Sequence, residues 1–214
     1  MAIFIIEHLE PRLWEWCLIE YESISKLVGK ENLWFTNVKN PQTEVRGVPG
    51  FLSTSKIRTC EDFLSVQKKD MKKLENLGRI FSCSVSELKL NNACVLDPEA
   101  GKLLSPEDKF DYFIFGGILG DNPPRKRTRP ELTSKIKAEA RNIGKEQLAT
   151  DNAVFVVKQV SEGKKISELK FSDEAVIKVN NAEEIILPYR YVLVDGKPFM
   201  SEKIVRYLRK KKGF

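Results

Sequence analysis

Three short stretches of this 214-residue chain carry side chains whose types and spacing suit chemistry. The first is Glu7-His8, a carboxylate followed by the sole histidine of the sequence. A carboxylate ending a strand can hold a cation or take up a proton, and an imidazole titrates near neutrality and can relay one. Each also has a plain structural reading: Glu7 as a surface partner of Arg12 or a cap for the next helix, His8 as a hydrogen-bonded strand-end residue. The second stretch is Phe110–Arg129, FDYFIFGGILGDNPPRKRTR, where an aromatic and β-branched run meets Gly116, Gly117 and Gly120, then Asp121, two prolines and a basic run. Glycines just past a strand end let backbone approach a ligand closely. Asp121 suits two jobs, holding a substrate cation or a ligand amino group, or closing an Asx turn ahead of the prolines. The third is Leu187–Leu193, LPYRYVL, in which Pro188 stiffens the chain beside Tyr189 and Tyr191. Those tyrosines serve either a ligand site or ordinary core packing with a bonded hydroxyl.

Two phosphate-binding loops can be tested against the glycine stretch. A P-loop needs GxxxxGK followed by Ser or Thr, and no such pair follows Gly120. The dinucleotide fingerprint needs GxGxxG, of which only Gly117-x-x-Gly120 is present. Composition excludes other classes. With 42% hydrophobic and 31% charged residues the chain reads as an ordinary globular protein of a single domain, 1–214. No apolar run approaches the length of a membrane span, and MAIFIIEHLE lacks a basic leader region and meets Glu7 too early for a signal peptide. The four cysteines, at 17, 60, 83 and 94, show no CxxC spacing, so no metal is expected and a reduced, cytoplasmic or nuclear setting is. The net charge is +6, with clusters at Arg125–Arg129 and Arg206–Lys212 that suit nucleic acid or an acidic partner, or else a solvated basic face.

The elements that must position these residues alternate strand and helix. AIFII at Ala2–Ile6 reads as a first strand. A helix opening at Pro11 follows, with Leu13, Cys17, Tyr21, Ile24 and Val28 at helical spacing and Gly29 closing it. Strands are expected at Leu33–Thr36, Ile80–Val85, Ala93–Leu96, Phe110–Phe115 and Ile143–Leu148, with a long loop over Asn37–Gly50. Helices are expected over Glu61–Leu77, Glu131–Arg141 and the segment after Thr150, whose hydroxyl is placed as its cap. Beyond it, Phe171–Val179, Glu183–Leu187 and Val192–Val194 read as strands, and Ser201 caps a last helix. The sum is an α/β fold with a mostly parallel sheet covered by helices, and in such sheets ligands sit beyond the carboxyl ends of the strands. The glycine loop and Glu7 both lie at that edge.

IIEH at Ile5–His8, FGGILGDNPPR at Phe115–Arg125 and LPYRYVL at Leu187–Leu193 together resemble the SPOUT-superfamily protein arginine methyltransferases that modify a small-subunit ribosomal protein in yeasts. The resemblance runs from about Ile3 to the region of Leu208, and the glycine loop is its most specific part. It implies S-adenosylmethionine as methyl donor and a trefoil knot in the C-terminal half. The donor would be wrapped by Gly116, Gly117, Ile118, Leu119 and Gly120, by Leu148 and Thr150, and by Leu187, Tyr189 and Tyr191. An arginine side chain arrives cationic, so Glu7 and Asp121 become the candidates to orient the guanidinium and help its proton leave, with His8 and Arg125 on the substrate side. The resemblance leaves room for an RNA methyltransferase of the same superfamily, or for a non-enzymatic RNA-binding factor of ribosome assembly. It also leaves open a monomer or a SPOUT-type homodimer, and contact of the basic clusters with ribosomal RNA.

Overall fold

The computed structural model describes residues 2–39, 60–180 and 183–211, the side chains of 60–67 apart. In chain order the elements are β1 (Ile3–His8), α1 (Glu15–Val28), β2 (Leu33–Thr36), α2 (Cys60–Glu75), β3 (Arg79–Ile80), β4 (Ala93–Leu96) and β5 (Tyr112–Gly117). There follow α3 (Thr128–Glu131), β6 (Glu139–Arg141), α4 (Thr150–Ser161), β7 (Phe171–Ser172), β8 (Ala175–Lys178), β9 (Glu184–Leu187), β10 (Tyr191–Val194), β11 (Lys197–Pro198) and α5 (Glu202–Lys211). The first six strands form one parallel sheet in the order β3-β2-β1-β5-β4-β6. Among the described residues no helix is long and apolar enough to cross a membrane.

β1 is central and apolar on both faces, as a covered parallel strand must be. Phe4 and Ile6 face a core layer shared with Tyr21 and Ile24 of α1 and Val154 and Val157 of α4. Ile5 faces the opposite layer with Val85, Val95, Ile114 and Leu132. The strand runs through to His8, so Glu7 pairs in register with Thr36 and Gly116, and His8 with Gly117. α1 begins at Glu15, past the proline, and ends at Gly29, whose φ of 82° admits the turn while its N–H bonds Ser25 O at 2.9 Å. A smaller unit of β8–β9 and β11-β10-β7 closes the C-terminal part. Ile204 and Leu208 of α5 pack there with Trp16, Leu187 and Tyr191.

Several elements differ from the sequence expectation. Glu131–Arg141 is not a helix: a 3₁₀ turn at Thr133–Lys135 leads into β6. The segment has too weak an apolar face to bury as a helix, whereas β4 offers a free edge that Glu139, Ala140 and Arg141 take up in register. Ile143–Leu148 is a loop, not a strand, and Gly144 turns it with a φ of 121°. Of Ile80–Val85 the strand keeps only Ile80, with Arg79 before it, while Phe81 and Cys83 continue to bond the backbone of β2 and its exit. Val85 instead starts a 3₁₀ turn capped by Ser84 and Glu87. Thr150 is the first residue of α4 rather than its cap, which is Ala149. Phe171–Val179 divides into β7 and β8, which join different sheets. Most of the loop expected at Asn37–Gly50 lies outside the described residues.

Candidate active site

A cleft of about 400 Å³ opens beyond the carboxyl ends of β4, β5 and β6. Its walls are the loops that follow those strands, Leu96–Glu99, Phe115–Thr128 and Ile143–Leu148, with Thr150 and Ala153 from α4. The volume is that of a typical small-molecule site, and Phe115, Ile118, Leu119, Ile143 and Leu148 give it an apolar lining suited to an aromatic base. The glycines do distinct things here. A Cβ on Gly120 would lie 2.6 Å from Gln147 Nε2 and 2.8 Å from the Tyr189 ring, so the loop tip must be bare for those two groups to close over it. A Cβ on Gly117 would instead meet the Tyr21 hydroxyl at 2.5 Å and Ile6 at 2.9 Å, inside the core. Gly117 lets the sheet and α1 come together.

The cleft is held by a set of ion pairs that sequence reasoning missed. Glu10 Oε1 accepts the Leu119 N–H at 3.1 Å and Arg127 Nη1–H at 2.8 Å. Arg127 also donates through Nε to Glu131 Oε1 at 2.7 Å, and the two carboxylates hold its guanidinium still more firmly protonated. Glu10 therefore ties the end of β1 to the glycine loop and to the basic segment at once. The rest of that segment is paired as well: Arg125 with Asp121 at 3.5 Å, Lys126 with Glu99 at 3.3 Å, and Arg129 with the buried Asp97 at 3.3 Å. The run borders the cleft: Arg127 is half-buried in its wall, while Arg125, Lys126 and Arg129 stay exposed as the sequence suggests. The only sequence signal for this was the closeness of Glu10 to the strand end and of Arg127 to the glycines.

Of the residues singled out from sequence, Gly116, Ile118, Leu119, Gly120, Asp121, Arg125, Leu148 and Thr150 come together around the cleft. Tyr189 stands just beside it, its hydroxyl donating to Gly120 O at 3.0 Å. The side chains of Leu187 and Tyr191 are buried in the C-terminal cluster behind that loop. Arg190 fastens the loop to the neighbouring one: its N–H bonds Gln147 O at 2.9 Å and its guanidinium bonds Glu146.

The structure does not bring Glu7 or His8 to the cleft. Glu7 is 3% exposed and points toward β2, where Oε2 accepts from the Thr36 hydroxyl at 2.5 Å and from Val85 N–H at 2.9 Å. Its Oε1 accepts from the Ser84 hydroxyl at 2.7 Å. His8 Nδ1 bonds the Tyr21 hydroxyl at 2.8 Å, and the ring lines a separate cavity with Asn37 and Met71. Burial lowers its pKa, against smaller raising effects of the Arg12 backbone and Glu10.

With this geometry in view, comparison with known proteins is informative. Residues 3–213 match the family of protein arginine N-methyltransferase SFM1-like proteins. The chain belongs to this family. It is 36% identical to protein arginine N-methyltransferase SFM1 of Saccharomyces cerevisiae, over 97% of this chain and 94% of that protein. The crystal structure of yeast SFM1 with S-adenosylmethionine superposes with a TM-score of 0.78 at 32% identity, covering 98% of this chain and 91% of that one. The structure of the same enzyme with S-adenosylhomocysteine gives 0.77 at 32% identity, covering 96% and 94%. The mostly parallel α/β sheet is thus that of a family whose solved members hold the methyl donor or its product.

Proposed function

We propose that this protein transfers a methyl group from S-adenosylmethionine to an arginine side chain of a protein, and that the substrate is a small-subunit ribosomal protein met in the cytoplasm. The observation that supports it most is the cleft, apolar and roofed by the Gly116–Asp121 loop, in a chain of this family. When bound, the donor supplies an electrophilic methyl on a sulfonium. Phe115, Ile118, Leu119, Ile143 and Leu148 would receive its base, and backbone groups of the glycine loop and of the Glu146–Leu148 loop would bond the base edge. Methyl transfer is a displacement that needs chiefly alignment, so the protein contributes by rigidity. The Glu10–Arg127–Glu131 pairs and the Arg190–Glu146 pair supply it by fixing the loops. Asp121, at the cleft and paired among the described residues only with the exposed Arg125 at 3.5 Å, is the sequence-predicted carboxylate that keeps access to substrate.

The chain acts in this reading as one catalytic domain, with the trefoil knot that the resemblance implies. Any ribosomal RNA contact in this reading uses the exposed side chains of Arg125, Lys126 and Arg129 or the basic end of α5, both of which carry surface ion pairs. Incubation with labelled donor and dissociated ribosomal subunits is the test. Label should appear in one protein band and be recovered as methylarginine after hydrolysis. Label found only in RNA would overturn the reading, and no donor binding at millimolar concentration would favour a non-enzymatic role.

A further inference from the structure

Beside the cleft lies a second cavity of about 280 Å³. Ile118, Leu119, Gly120, Gln147, Leu148 and Thr150 line both spaces, so the glycine loop and the loop before α4 form a common wall. The other walls are Trp14, Trp16 and Glu20 of the α1 region, Tyr189, and Tyr207 with Lys211 of α5. Glu20 is 7% exposed. Its Oε1 accepts the Trp16 indole N–H at 2.9 Å, and the Thr150 hydroxyl bonds the carboxyl as well. Asp151, also buried, stands near it and is bonded by Asn152 and Ser23.

Two buried carboxyl groups side by side are costly as a pair of anions, so they keep a proton until a cation joins them. Among the described residues no cationic side chain pairs with either. Burial, then repulsion from Asp151, raises the Glu20 pKa well above the ordinary carboxylate range. The groups facing it are Cys17 and Trp16 from α1, Thr150 and Asp151 from α4, and the phenols of Tyr189 and Tyr191, with Lys211 at the cavity wall. The aromatic rings meanwhile already carry cations. Lys211 Nζ sits 4.8 Å from the Tyr207 centroid, and the Arg12 guanidinium lies 3.4 Å from that of Trp14. A carboxylate lacking a cation, walled by tryptophan and tyrosine and sharing its wall with the donor cleft, has the chemistry of a guanidinium receptor.

We propose that this cavity receives the arginine to be methylated, with Glu20 gripping the guanidinium beside the edge-to-face pair of Trp16 and Tyr207. The proposal rests on the methyltransferase reading above and assigns that reaction its second substrate site. In the step itself an Nη atom forms the new N–C bond, the sulfonium C–S bond breaks with its electron pair staying on sulfur, and the Nη proton passes to Glu20 and then to water. Lys211 in turn competes for the Tyr207 face.

The test uses the full chain and an arginine peptide cut from the protein labelled in the transfer assay. In calorimetry with S-adenosylhomocysteine present, Glu20→Gln should weaken peptide binding at least tenfold while binding of S-adenosylhomocysteine stays within twofold. Peptide binding to the wild type at neutral pH should release a proton, seen by repeating the titration in buffers of different ionisation enthalpy, and Glu20→Gln should release none. Lys211→Ala, an exposed change, should tighten peptide binding about two- to fivefold, the size of one exposed cation–π contact. Structural damage would move affinity the other way. If wild-type protein methylates arginine but neither variant shifts peptide affinity, the assignment of this cavity is overturned and the arginine reading stands. Label in RNA alone overturns both.

Discussion

Glu7→Gln discriminates sharply between a catalytic and a structural carboxylate at the end of β1. In the fold Glu7 accepts three hydrogen bonds, from Thr36, Ser84 and the Val85 backbone, and so staples β1 to β2 and to the 3₁₀ turn at Val85–Glu87. Hydrogen bonds to a buried charged acceptor are worth ~1.5–3 kcal/mol each. Glutamine keeps one oxygen, enough for Thr36 and Val85, and turns its NH₂ toward Ser84 Oγ, which can rotate to accept. The net loss is therefore that of the charge on the retained bonds and the reversal of one other, about 2 kcal/mol. For a chain of this length that lowers the melting temperature by ~4–8 °C. Glu7→Ala strands all three donors and leaves a void, for about 3–5 kcal/mol. Thermal unfolding followed by circular dichroism, run beside the methyl-transfer assay, reads both quantities. Turnover in Glu7→Gln should stay within about threefold of wild type below the melting range, since the loss of a true general base costs ~10²–10⁴-fold. An unchanged melting temperature with turnover down a hundredfold would refute the structural argument and return Glu7 to the chemistry.

Three further outcomes follow from the same packing. Gly117→Val should destabilise the fold by ~1–3 kcal/mol or more through overpacking of Tyr21 and Ile6, lowering the melting temperature, whereas Gly120→Val should weaken S-adenosylhomocysteine binding tenfold or more by displacing Tyr189, with a smaller change in melting; calorimetry and melting curves on the pair show whether the two effects separate. Arg127→Lys should loosen the glycine loop, because an ammonium cannot bridge Glu10 and Glu131 as the guanidinium fork does, and donor affinity should fall about three- to tenfold with fold stability changed by less than ~2 kcal/mol. Glu20 and Asp151 have folded-state pKa values raised by burial, so the native state holds protons that the unfolded chain gives up above the ordinary carboxylate range near ~4. Stability from this pair is full below that range and is lost as pH rises toward and past neutrality. Melting temperature should therefore fall between about pH 5 and pH 8 in the wild type, and less steeply in Glu20→Gln.

The sequence by itself determined the elements whose pattern is local. β1, β2, β4 and β5 are short apolar runs, α1 and α4 repeat at helical spacing, and each is found within a few residues of its expected place. The glycine loop was legible because an apolar strand runs into glycines and prolines at a sheet edge, although β5 itself continues through Gly117 before the chain turns. Family membership was legible because it rested on three motifs. Tertiary structure alone decided what depends on distant partners. Glu139–Arg141 became a strand because β4 had a free edge, which its own helix-favouring residues could not reveal. Glu7 sits where the strand pattern put it, but its direction was set by Ser84 and Val85, 77 and 78 residues away. Glu10 and Arg127 meet across 117 residues, drawing one member of an otherwise exposed basic run into the cleft wall. Glu20 and Asp151 read in sequence as ordinary helix carboxylates, and only the crossing of α1 and α4 buries them together. Burial and pairing are properties of the assembled fold, whereas periodicity belongs to the chain, and that difference divides what could be read from what had to be seen.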